Sequence, residues 1–279
     1  MSEILKENVI HVGPYEIEAL TPTVFAIDDP EDESMYLVCG EKRALVIDTG
    51  SNGAALQPVI GMLTDKKPVL ALTHAHFDHM YHSDEFARVY ISETEKKAWK
   101  KILGLLVAVS SAASGHFPKR YPMGQFRSLR EGDVLHLGGR NLKVIAAGGH
   151  TPGSVIFADE KEKLLFTGDA FGSGSYAWMW MPGCLRLSRY QKNLQELLVK
   201  LERYRDYRML GGHRRQGTPA FGPNAHPLTY EVIQDMEVLC GKVLRGEAEA
   251  ESTERNFGFL TYLYRYGKAA IVLRKSKIR

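Results

Sequence analysis

Three imidazoles and one carboxylate crowd into the stretch Thr73-His74-Ala75-His76-Phe77-Asp78-His79. A hydrophobic core has no use for so many lone pairs at one point, so any fold for this chain must give them something to bind. The stretch follows the apolar run 69–72. It therefore reads as a loop leaving the carboxyl end of a buried strand, where side chains can converge. On extended backbone His74 and His76 point the same way and can share one cation. Asp78 and His79 fall past the turn and can serve a second cation close by. Such donors suit zinc, iron, manganese or nickel rather than a thiolate cluster. The competing reading is a histidine-rich surface loop without metal.

Further candidates recur downstream in matching settings: His150 in Gly148-Gly149-His150-Thr151-Pro152-Gly153, Asp169 in Thr167-Gly168-Asp169-Ala170, and His213 in Leu210-Gly211-Gly212-His213. Each follows an apolar, strand-like run and is flanked by glycine, which allows tight backbone geometry and close approach of a ligand. With the first cluster they supply the nitrogen and oxygen donors that a two-metal centre needs.

The series THAHFDH, GGHTPGS, FTGDA and GGH, after an upstream VIDTG, resembles the metallo-β-lactamase superfamily over about residues 20–215. The resemblance implies a mixed α/β fold, a four-layer αββα sandwich with the metal site at one edge of its two sheets. It implies that His74, His76 and His150 hold a first metal, that Asp78, His79 and His213 hold a second, and that Asp169 bridges them. Asp48, in the VIDTG turn, would orient a ligand loop from behind. Two divalent metal ions per chain follow, zinc foremost, with iron or manganese as alternatives.

The resemblance does not settle the activity. Dedicated β-lactamases of the best-known type carry a cysteine where this chain has Asp169. Diiron flavoprotein relatives have a glutamate in place of the second histidine. Glyoxalase II-like thioesterases show Gly-Cys-Gly-Arg where Gly172-Ser-Gly-Ser175 stands here, and the tyrosine of the lactonases is replaced by Ala170 or Phe171. Relatives usually follow the first motif with a glycine pair, whereas this chain reads Met80-Tyr81-His82-Ser83. The expected reaction is hydrolysis of an ester, thioester or lactone of a small, partly apolar substrate. Two cations would acidify a shared water, and Asp78 would relay its proton to the leaving group. Phosphodiester or phosphonate cleavage, mononuclear iron persulfide oxygenation and a non-enzymatic metal-stabilised binding module are the alternatives.

Substrate choice falls to loops. Tyr176, Trp178 and Trp180 lie in a glycine-rich segment directly after Asp169, as a pocket wall for an apolar moiety or as core or homodimer packing. His82 and His116 are further pocket candidates, each competing with an ordinary hydrogen-bonded or surface histidine. His116 lies with Lys119 and Arg120 in a loop-rich insertion at about 93–125.

The remaining chain reads as one α/β domain over 1–279. Strands are expected at 36–39, 44–48, 69–72, 89–91, 134–137, 142–146, 154–158 and 163–167. Helices are expected at 54–63, from 93 to about 107, at 187–204 with a Ser188–Gln191 capping box, and at 228–244 ending on Gly246. A charged stretch, 247–255, precedes a hairpin of 259–266 and 270–273, so that 227–279 forms a C-terminal helix plus hairpin. Thirty-six Lys and Arg against thirty-three Asp and Glu give +3, too mild a balance to argue for nucleic acid or membrane. Three scattered cysteines and a charged amino terminus suggest a cytoplasmic protein acting on a small-molecule substrate.

Overall fold

Short hydrophobic runs separated by polar turns become most of the central strands of the chain. The computed structural model describes residues 9–98 and 123–278, in two units: Met1–Val144 with Phe157–Glu162, and Ile145–Ile156 with Lys163–Arg279.

The first unit holds β1 (Val9–Val12), β2 (Tyr15–Thr21), β3 (Val24–Asp28), β4 (Ser34–Cys39), β5 (Ala44–Ile47), β6 (Pro68–Ala71), β7 (Val89–Ser92) and β8 (Phe126–Leu129), hydrogen-bonded in that order as one eight-stranded sheet. Neighbours are antiparallel as far as β5 and parallel from β5 to β8. The switch follows from the connections. Tight turns join antiparallel strands, whereas the parallel step from β5 to β6 needs the longer excursion that carries α1 (Gln57–Leu63). Every residue of β3 and β5 is buried, the mark of strands covered on both faces. Phe25, Ile27, Leu37, Val46, Leu70 and Leu72 belong to its core. Also here are the single-turn α2 (Phe77–Met80), α3 (Glu93–Ala98), and the antiparallel pair β9 (Val134–His136) and β10 (Asn141–Ala146). The chain crosses between the units within β10 and again within β11 (Val155–Asp159).

In the second unit β12 (Leu164–Gly168) pairs in parallel with β14 (Arg208–Gly211). A four-stranded sheet runs β13 (Ala177–Trp178), β17 (Ala269–Leu273), β16 (Phe259–Tyr266), β15 (Ser252–Asn256). Helices α4 (Leu187–Leu201) and α5 (Tyr230–Arg245) pack together, with Tyr230 Oη donating to Leu198 O at 3.0 Å. The leucine stripe of α4 is buried as its spacing demands: Leu187, Leu194, Leu197 and Leu201, with Tyr190.

Several expectations need correction. The Ser188–Gln191 capping box does not form, because α4 begins earlier, with Arg186 as its N-cap and no side-chain cap bond. The charged stretch 247–255 contains strand β15, a charged ladder paired to β16. Strands β1 to β3 were not expected. The insertion is described only at its ends, α3 and the short turn Met123–Gln125. His116, Lys119 and Arg120 lie outside the described residues. Helix α5 ends on Gly246 at φ +74, the left-handed cap that glycine favours. Among the described residues, no helix is long and apolar enough to cross a membrane.

Candidate metal centre

In the first unit, the chain leaves β6 through a bend at Thr73 and His74, His76 is extended, and Asp78 and His79 fall in the single turn of α2. The rings of His74 and His76 lie 4.6 Å apart, and those of His74 and His79 4.2 Å. Behind them sits Asp48, just past β5, buried and held at φ +59. Aspartate tolerates this left-handed conformation better than most residues. Its Oδ1 accepts the Thr73 backbone N–H at 2.8 Å, while Oδ2 accepts the Thr73 hydroxyl at 2.7 Å and His79 Nδ1–H at 2.9 Å.

This network assigns the tautomers. Thr73 gives its only hydroxyl proton to Asp48, so at 3.1 Å its oxygen must accept Nδ1–H from His74. His74 and His79 thereby carry their lone pairs on Nε2. His74 Nε2 lies 3.1 Å from His76 Nδ1, and His79 Nε2 lies 3.5 Å from Asp78 Oδ2. Two donors on one tetrahedral zinc at ~2.0–2.1 Å stand roughly 3.3 Å apart. The spacings are those of atoms sharing a cation.

The second unit provides its donors from three loops. Strands β12 and β14 are parallel neighbours with Gly168 in register with Gly211, so their carboxyl ends emerge side by side. Asp169 follows one and His213 the other, and Asp169 Oδ2 lies 3.5 Å from His213 Nε2. His150 Nε2 lies 3.6 Å from the same oxygen. Its Nδ1–H is donated to the Trp178 carbonyl at 2.7 Å, which again leaves the lone pair on Nε2. The glycines beside these donors are needed for close approach. A Cβ at Gly149 would stand 2.4 Å from the Tyr190 ring, and one at Gly211 would stand 2.4 Å from Ser173 Oγ. Tyr190 Oη in turn donates to the carbonyl of Ala170, next to Asp169. Each donor set suits divalent zinc, iron or manganese.

Further carboxylates brace two loops of the first unit, that of the histidines and that of Ser51 and Asn52. Buried Glu95 accepts the Ala75 N–H at 3.2 Å between the two histidines. Asp29 Oδ2 accepts the N–H groups of Ser51 and Asn52, and Ser51 Oγ donates to buried Glu33. Burial, then a hydrogen bond with Asp29, holds the Glu33 carboxyl well above the usual carboxylate range. Nothing in local sequence marks these three carboxylates for burial, whereas Asp48 was signalled by the VIDTG turn.

Among the pocket candidates, His82 is buried with Nδ1 2.7 Å from Glu85 Oε1 and Nε2 2.7 Å from the Asn52 carbonyl, and it ties two segments of the first unit together. In the second unit Tyr176 stacks on Trp178 at 6.1 Å, and Trp178 lies 5.9 Å from Trp180. These rings line a cavity of about 80 Å³ with Ser252, Glu254 and Asn256.

Residues 28–213 match the family model of the metallo-beta-lactamase superfamily. The chain belongs to that superfamily. Acyl-coenzyme A thioesterase MBLAC2 of Homo sapiens is 30% identical over 203 residues, covering 64% of this chain and 72% of the relative. Hydroxyacylglutathione hydrolase GloC of Haemophilus influenzae is 30% identical over 137 residues, covering 48% and 64%. The crystal structure of ST1585, a superfamily protein from Sulfolobus tokodaii, superposes with a TM-score of 0.56 at 19% identity, over 85% of this chain and 91% of the other. The superfamily's mixed α/β fold is thus the fold of this chain, and the protein is a metal-dependent hydrolase.

Proposed function

We propose that the chain hydrolyses the thioester bond of an acyl-coenzyme A, and that its seven donors hold two divalent cations, zinc foremost. The carrying observation is the tautomer pattern. His74, His79 and His150 each surrender Nδ1–H to a fixed acceptor and so present Nε2 as a ligand atom. The identity to an acyl-coenzyme A thioesterase supports the choice among acyl bonds.

Divalent cations on such donors lower the pKa of a water toward neutrality and polarise a carbonyl oxygen. Asp48 keeps His79 oriented, accepting Nδ1–H so that Nε2 is the ring nitrogen left to bind. Asp78, partly exposed beside His79, is placed to collect the proton of the attacking water. A thioester asks little more, because a thiol with a pKa of about 8.5 leaves readily as thiolate. An aspartate at position 169, rather than a cysteine, keeps the donor set entirely nitrogen and oxygen.

The test pairs metal analysis with a panel of acyl-coenzyme A, lactone, ester and phosphodiester substrates. About two zinc ions per chain, with thioester turnover abolished by chelation, are expected. One iron per chain with oxygen-dependent turnover would overturn the reading, as would turnover confined to phosphodiesters.

A further inference from the structure

The aromatic side chains of the second unit do not stop at the residues named from the sequence. From Trp178 the row continues through Trp180 to Phe257 and Phe259, at 6.0 and 6.2 Å from Trp180. Phe257 and Gly258 form the two-residue turn between β15 and β16, since Asn256 pairs with Phe259. Both sit in left-handed backbone, at φ +47 and +82. Turns of this kind favour asparagine or glycine, and a phenylalanine is strained there. It is also 81% exposed, with its ring stacked on Trp180 at an interplanar angle of 22°. One face of an aromatic ring is thus set against the protein and the other is offered to solvent.

Cations gather beside it. The guanidinium of Arg274 lies 4.4 Å over the Phe259 ring. Among the described residues neither Arg274 nor Arg186 has a carboxylate partner, and Arg274 Nε is buried without a hydrogen bond. Lys277 donates to the Pro182 and Cys184 carbonyls. Burial first, and the nearby charges of Arg274 and Arg186, hold its ammonium below the usual lysine value. Uncompensated positive charge next to an offered aromatic face is complementary to a planar ring that carries phosphate. An acyl chain would need no cations. The cavity under Trp180 adds Glu254, an acceptor suited to an exocyclic amine.

We propose that the face formed by Phe257 and Phe259, backed by buried Trp180 and flanked by Arg274, Arg186 and Lys277, binds the phosphorylated adenosine of coenzyme A. The inference rests on the thioester reading for its substrate but on different residues for its geometry. The adenine stacks on the phenylalanine platform and the phosphates meet the three cations. Discrimination for coenzyme A thioesters over simpler ones then resides in the C-terminal hairpin.

The test uses adenosine 3′,5′-bisphosphate, the nucleotide end of coenzyme A without its thiol, in calorimetric titrations of the full chain. Saturable binding is expected, weakened about ten-fold or more by Arg274→Glu and by Phe257→Ala and largely retained in Arg274→Lys. In kinetics, the ratio of KM for an acyl-N-acetylcysteamine to that for the matching acyl-coenzyme A should fall by about the same factor in the two disruptive variants. Phe257 stands at an exposed turn tip, so a folding failure at Arg274 leaves the second variant to decide. Absence of nucleotide binding overturns the proposal. So does binding of phosphatidylserine vesicles, or a dimer dissolved by Phe257→Ala, in a protein that ignores the nucleotide. Equal KM values for the two thioesters would remove this assignment and leave the thioesterase standing. Nucleotide binding without any thioester turnover would support this face and remove the thioesterase reading.

Discussion

The two units position their candidate metal donors in opposite ways. In the first, four side chains come from six consecutive positions, and buried carboxylates hold that short loop from behind: Asp48 through Thr73 and His79, Glu95 through Ala75. In the second, three donors come from three loops, aligned by the parallel pairing of β12 with β14 and by glycines that let backbone and ring approach. The first arrangement depends on charge and hydrogen bonding, the second on steric fit. A polar substitution should therefore hurt the first most, and an added methyl group the second.

The donors themselves should show the largest effect. His76→Ala in the first unit and Asp169→Ala in the second should each lose bound metal and lower turnover by about three orders of magnitude or more. Metal analysis alongside steady-state rates checks this, and a variant that keeps full turnover removes its residue from the centre. Next comes Asp48→Asn, which suits φ +59 and keeps the side chain's shape but removes the charge that takes Nδ1–H from His79. Metal affinity should weaken about 10–100-fold while the backbone fold persists. A competitive chelator titration would read it.

Gly149→Ala is the steric counterpart. Its methyl group meets the Tyr190 ring, and unfolding in urea should show a loss of about 1–3 kcal/mol. A neutral result would mean that Tyr190 yields, and the contrast between the units would weaken. The smallest effect is a slope. Glu33 keeps in the folded state a proton that the unfolded chain releases above about pH 4.5, so its contribution makes the metal-free protein less stable as pH rises from there. Glu33→Gln should flatten that part of the stability curve, as measured by urea midpoints across the pH range.

The sequence exposes best what is locally dense or regularly spaced. The donor motifs stand at strand ends, β4 to β6 follow from their apolar runs, and α4 follows from its leucine spacing. The strands β1 to β3 were harder to see. The Tyr15–Thr21 segment alternates with glutamates and ends in half-buried residues, giving no clean apolar run. Strand β15 has no large apolar residue at all and exists because β16 pairs with it. The apolar spacing gave the start of α4 at Leu187, but the Ser188–Gln191 capping box was misread because serine is a frequent cap, whereas here Arg186 holds the cap position without a side-chain bond. Asp29, Glu33 and Glu95 became visible only when distant segments met, since burial of a carboxylate is decided by tertiary neighbours.

Trp178 belongs to two systems at once. Its carbonyl fixes the proton of His150, and its indole is a member of the ring row that ends at Phe257. A molecule settling along those rings would reach the residue whose carbonyl accepts Nδ1–H from His150, a candidate ligand, and the two would then be linked through one peptide group. Tryptophan emission would register either event, giving a built-in optical gauge of how the hairpin and the hydrolytic centre respond to each other.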